Sequence, residues 1–100
     1  MTVKVKICGI STAPTMAAAL AAGADFVGLV FFPPSPRSLS PEAAAPLAQQ
    51  ARGKALSVAL IVDADDALID RIVATVAPDL LQLHGKETPE RAREIARRTG

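Results

Sequence analysis

Hydrophobic and polar positions along the chain follow two periods in turn. In VKVKIC, residues 3–8, Val3, Val5 and Ile7 alternate with Lys4, Lys6 and Cys8. That two-residue period predicts a strand with unlike faces. STAPTMAAALAAG, residues 11–23, carries helix signals instead. Ser11 or Thr12 serves as the cap, Pro14 suits the first turn, Met16 and Leu20 share a face, and Gly23 closes the segment. DFVGLVF, residues 25–31, is apolar almost throughout, as a strand covered on both faces of a parallel sheet would be. Three prolines in FPPSPRSLS then keep residues 32–40 from being helical.

The same alternation runs through the rest of the chain. Ser40-Pro41-Glu42 opens a helix whose apolar face, Leu47, Ala48 and Ala51, continues to Gly53. LSVALIV, residues 56–62, is a third strand. Asp63 and Asp66 surround the next helix start, and Leu68, Ile69, Ile72, Val73 and Val76 recur at helical spacing until Pro78 stops them. DLLQLHG, residues 79–85, is a fourth strand. Thr88-Pro89-Glu90 opens a last helix with Ala92, Ile95, Ala96 and Thr99 along one face, ending at Gly100. The order βαβαβαβα predicts an α/β fold of parallel strands joined by right-handed helical crossovers, with no internal domain boundary.

Composition narrows the function. Half of the 100 residues are apolar, 21% are charged and the formal net charge is +1, so the basic footprint of a nucleic-acid binder is missing. The one local excess, Arg91, Arg93, Arg97 and Arg98, reads as a solvated helix face favoured near a helix C-terminus. Without Trp or Tyr, and with three Phe, a stacking platform for single strands is not expected. The single cysteine cannot form an internal disulfide, which points to a reducing, cytoplasmic compartment. No signal peptide or membrane-spanning run is visible, so no membrane partner is expected.

In a parallel sheet ligands gather at the carboxyl ends of the strands. Those ends are Cys8-Gly9, Phe31-Phe32, Val62-Asp63 and His84-Gly85. The only Cys and the only His thus face one mouth. Taken alone, Cys8 also fits a buried strand cysteine, and His84 a satisfied structural histidine. Arg37, in the loop from the same rim, is either an ordinary exposed charge or a clamp for a carboxylate or phosphate, which its planar fork matches. Helix capping accounts for Asp63, Asp65 and Asp66 more simply than metal binding, so no metal is expected. No glycine-rich phosphate loop occurs.

Three segments, KICGI, GADFVGLVFFPPSPRSLSPEAA and LQLHGKE, together closely resemble the phosphoribosylanthranilate isomerase family of tryptophan biosynthesis. The resemblance covers the whole chain. It implies a single (βα)8 TIM barrel of about 200–250 residues, of which residues 1–100 form the N-terminal (βα)4 half, truncated after the fourth helix. It implies an Amadori rearrangement of the small-molecule substrate N-(5'-phosphoribosyl)anthranilate, with no cofactor. Cys8 matches the family's general base, and Arg37 the arginine against the anthranilate moiety. His84 matches a histidine with a binding or positioning role, and Gly9 lets the chain turn beneath the ligand. The family's acid, an aspartate on a later strand, and its phosphate loops have no counterpart here, so this chain alone is expected to be inactive. Other readings are a noncatalytic half-barrel assembly module, a flavodoxin-like binding module, or another phosphosugar barrel enzyme. Open edges on the first and fourth strands predict self-association or a missing C-terminal half.

Overall fold

The computed structural model describes residues 3–99. Gly100, read above as the end of the last helix, lies outside them. The elements are β1 (Lys6–Ile7), α1 (Ala13–Ala21), β2 (Phe26–Phe31), α2 (Pro41–Ala51), β3 (Leu56–Ile61), α3 (Asp66–Thr75), β4 (Leu80–Leu83) and α4 (Pro89–Thr99). The strands lie side by side in the order β1-β2-β3-β4, all parallel.

Each helix starts where a short polar side chain can satisfy an orphaned N–H group. The Thr12 hydroxyl accepts from Thr15 N–H, and so Thr12 rather than Ser11 is the cap of α1. Ser40 accepts from Ala43 N–H, Asp65 from Leu68 N–H and Thr88 from Arg91 N–H.

The strand expected over residues 3–8 is shorter, with ladder geometry confined to Lys6–Ile7. Its pairing extends further through bent contacts. Val5 N–H donates to the Asp25 carboxylate at 2.8 Å, and the Val5 carbonyl accepts from Asp25 and Phe26 N–H. Beyond Ile7 the chain turns at Gly9, where φ is +80°, and both Gly9 and Ile10 N–H converge on the Gly28 carbonyl. Of the apolar trio on this segment, only Ile7 packs against the core; Val3 is 76% exposed and Val5 is exposed too.

The core lies between the sheet and the helices. Ile10, Met16, Val27, Leu29, Ile61, Ile69, Ile72 and Val76 are its large fully buried side chains. Register and alternation place Ile7, Val27, Leu29, Phe31, Ala59, Ile61, Leu81 and Leu83 on this helix-covered face. The opposite face carries Lys6, Phe26, Gly28, Val58, Leu60, Leu80 and Gln82. Across it, Lys6 Nζ on β1 donates to Gln82 Oε1 on β4. One lysine side chain bridges the two outer strands of a four-stranded sheet, so the sheet is strongly curved, with this face concave. The α4 arginines are more than a solvated face: Arg98 holds Asp70 on α3 with two 2.7 Å bonds, and Arg91 reaches Asp66 at 2.7 Å.

Candidate active site

The mouth is built from the C-terminal strand ends. Cys8 follows β1 and is exposed. The register Ile7↔Val27 continues to set Cys8 beside Gly28. A Cβ on Gly28 would stand 2.9 Å from Cys8 Sγ and 3.0 Å from Cys8 Cα. Only a residue without a side chain lets the thiol sit there. A second close approach occurs one residue on. A Cβ on Gly9 would lie 2.8 Å from Arg37 Cδ and 3.0 Å from Arg37 Nη1. Gly9 therefore does two things: it adopts a left-handed turn that suits glycine, and it leaves room for the Arg37 side chain above the backbone.

The proline loop brings Arg37 to this place. Ser35 N–H bonds the Phe32 carbonyl, Ser38 N–H bonds the Ser35 carbonyl, and Leu39 N–H returns to the Val30 carbonyl at 2.8 Å. Val30 and Ser38 form a parallel bridge, and Arg37 N–H donates to Ser35 Oγ. The loop is thus folded back on β2, with its arginine directed over β1. Among the described residues no carboxylate pairs with Arg37. Its fork is available to a ligand carboxylate.

His84 stands at the end of β4, exposed, its N–H bonded to the Ile61 carbonyl at 2.9 Å. Alternation places it on the concave side with Cys8, three strands away. The structure therefore brings Cys8, Gly9 and Arg37 into one contact group and sets His84 across the mouth from it.

Sequence reasoning missed two features of this rim. Gly28 was hidden inside an apolar run, although a glycine in a strand interior is itself a sign of close backbone approach. Glu87, within LQLHGKE, has no role that the sequence alone suggests. Its carboxylate accepts from Asp63 N–H and Gly85 N–H, each at 2.8 Å. Burial pushes the Glu87 carboxyl up, but these N–H groups, its own N–H and the charge of His84 outweigh that and hold it below the usual glutamate value. The three aspartates are also accounted for. Asp63 accepts from Lys86 N–H, Asp65 caps α3, and Asp66 pairs with Arg91 and Arg98.

A hollow of about 600 Å³ lies deeper on the concave face, lined by Lys4, Lys6, Phe26, Val58, Leu80 and Gln82 among others. It sits nearer the N-terminal ends of the strands than Cys8 and His84 do. It is consequently distinct from the mouth.

Comparison with known proteins gives one answer. The family model for N-(5'-phosphoribosyl)anthranilate (PRA) isomerase matches residues 5–99. An N-(5'-phosphoribosyl)anthranilate isomerase of Bradyrhizobium sp. (strain BTAi1) is 58% identical over 100 residues, all of this chain and 46% of that protein. One from Rhodopseudomonas palustris (strain BisA53) is 62% identical over 98 residues, 98% of this chain and 45% of its own length. Among solved structures, phosphoribosyl anthranilate isomerase from Thermotoga maritima superposes with a TM-score of 0.90 at 36% identity, covering 97% of this chain and 47% of that one. A phosphoribosyl anthranilate isomerase in complex with reduced 1-(o-carboxyphenylamino)-1-deoxyribulose 5-phosphate matches with the same TM-score and identity, over 97% of this chain and 50% of that one. The chain spans about half the length of the curated relatives it matches, and corresponds to their N-terminal part. Four parallel βα units with a TM-score of 0.90 to such an enzyme are the first half of a TIM-type barrel. The chain belongs to the phosphoribosylanthranilate isomerase family.

Proposed function

We propose that residues 1–100 form the N-terminal half of a single (βα)8 barrel domain. In it they supply the base and the carboxylate clamp of an N-(5'-phosphoribosyl)anthranilate isomerase. The observation that carries this reading is the contact group at β1: an exposed thiol at Cys8, with the Arg37 side chain lying over the adjacent Gly9.

The chemistry asks for little more from this half. The substrate's sugar ring opens when its ring oxygen is protonated and the nitrogen lone pair moves in, leaving an iminium, C1=N(H)+, between C1 and the anthranilate nitrogen. Cys8, as thiolate, removes the C2 proton. The C2–H electron pair becomes a C1–C2 double bond, and the C1–N double-bond pair returns to nitrogen. Protonation at C1 and loss of the C2 hydroxyl proton complete the aminoketose, 1-(2-carboxyphenylamino)-1-deoxyribulose 5-phosphate. Electrons move only within the substrate, so no cofactor takes part. Arg37 lies over Gly9, the residue after Cys8. Its fork holds the anthranilate carboxylate, with His84 closing the opposite side of the mouth. The acid that opens the ring and the phosphate site belong to the other half of the barrel. Supporting that division, Leu56 and Leu80 on the concave face are each 47% exposed, where a closed barrel would pack them. The reaction class and the unpaired cysteine support a cytoplasmic location. Among the described residues no helix is long and apolar enough to cross a membrane.

The test is isomerisation of N-(5'-phosphoribosyl)anthranilate by the complete barrel that carries these residues. Cys8→Ser should fold and lose about 10²–10⁴-fold in turnover, the usual worth of a positioned base. Near-normal turnover by that variant would remove Cys8 from the base role.

A further inference from the structure

The ends of β3 and β4 are joined by a closed circuit that the proposed chemistry does not use. Asp63, two residues beyond β3, holds φ at 49°, a left-handed value that costs about 1 kcal/mol or more for a residue with a side chain. In that conformation its N–H donates to Glu87 Oε2 at 2.8 Å, while its own Oδ1 accepts from Lys86 N–H at 2.8 Å. The second Glu87 oxygen, Oε1, accepts from Gly85 N–H at 2.8 Å. Two carboxylates thus take three backbone N–H groups of neighbouring loops. The fit is close, since a Cβ on Gly85 would stand 2.7 Å from Asp63 Cγ and 2.8 Å from Asp63 N.

His84 lies between this circuit and the sheet. Its N–H belongs to the β3–β4 ladder, through Ile61, and its carbonyl leads directly into the clamped Gly85. Its side chain is exposed, so the backbone on either side does most of the work of aiming it. The circuit also uses up the N–H groups that a substrate anion would otherwise find at these strand ends.

We infer that Glu87 is a positioning residue: by bridging Asp63 and Gly85 it locks the β3 and β4 ends together and so fixes where His84 enters the mouth. The effect on turnover rests on the isomerase reading; the bridge itself does not.

Glu87→Gln in the complete barrel separates the possibilities. An amide side chain can accept from one N–H but turns a donor toward the other. Amide hydrogen exchange at Asp63 or Gly85 should therefore quicken by about 10-fold or more, while Leu29 and Ala59 in the central strands stay unchanged. Unchanged exchange at both Asp63 and Gly85 overturns the inference. In the isomerase assay Glu87→Gln should lower kcat/KM by about 10-fold. In a His84→Ala background the same change should cost about 2-fold or less, because the group it positions has gone. Additive losses in that cycle would overturn the link to His84, a result that general loosening of the fold would produce. A complete wild-type barrel that exchanges as expected but does not isomerise the substrate would sink the isomerase reading and leave the bridge standing.

Discussion

At the scale of single residues, the mouth depends on two glycines and an arginine more than on the number of polar groups present. Gly28→Ala would press a methyl group to 2.9 Å from Cys8 Sγ and 3.0 Å from its Cα. The second neighbour is backbone, so Cys8 itself must move. The expected outcome in the complete barrel is a turnover loss of about 10–100-fold, the scale set by a misplaced reacting group. Steady-state kinetics beside a denaturant unfolding curve checks it. Normal kcat would mean that the thiol's place is not critical. Arg37→Ala should raise KM by about 10–100-fold, equivalent to the ~1.5–3 kcal/mol of a charged hydrogen bond. Arg37→Lys should recover little, since a point charge cannot reproduce the fork. Equal KM values for all three proteins would remove Arg37 from the site. Cys8, Gly9 and Arg37 were legible in the sequence because a strand end and a proline loop announce themselves by pattern. Gly28 was not, because its meaning depends on which residue of another strand lies beside it. Glu87 was not, because its partners, Asp63 and Gly85, are joined only by the pairing of β3 with β4.

At the scale of elements, helical spacing found α3 and α4, and it also fixed which faces they bury, with Ile69, Ile72 and Ile95 inward. β1 was overread. Alternation in VKVKIC is a genuine strand signal, but a strand with one partner keeps regular geometry only where that partner runs beside it. What periodicity cannot show is how exposed faces meet. Arg98 on α4 grips Asp70 on α3, and that bond holds the Asp70 carboxyl below the usual aspartate value against the opposing effect of burial, with the Arg98 charge adding to it. A depressed folded-state value means stability that is present above the unfolded aspartate value, near ~3.9. It is lost as pH falls through the lower folded value. Asp66 also pairs with Arg98 and with Arg91, and Arg91 in turn reaches Glu94, so these charged groups surround the pair. The complete barrel should therefore unfold more easily as Asp70→Asn at neutral pH, with the gap closing as pH falls through the lowered folded-state value and shrinking in high salt. A gap that persists in acid would assign the effect to something other than this ion pair.

At the scale of the whole molecule, the isolated 100-residue chain carries the surfaces of an open half-barrel. β1 and β4 each have one strand neighbour, so each presents a free backbone edge, the template on which strands from other chains add. The concave face exposes Leu56 and Leu80, the latter lining a hollow of about 600 Å³, and Val3 and Val5 add apolar surface beside the β1 edge. Against association stand Lys4 and Lys6 on the first segment. The balance favours self-association, either as aggregate or as a dimer in which β1 of each copy meets β4 of the other. Size-exclusion chromatography with light scattering across a concentration series should show mass rising above the 10.3 kDa of one chain. On the proposed division of the site, the same samples should not isomerise N-(5'-phosphoribosyl)anthranilate, because pairing two copies of the half that carries Cys8 and Arg37 still supplies no acid from a later strand and no phosphate loop. A monomer that unfolds cooperatively at high concentration would show that the curved sheet closes its own core. Turnover by the pure chain would show that the chemistry is complete within these four βα units, with the acid to be sought among the carboxylates already at the mouth, Asp63 and Glu87 first.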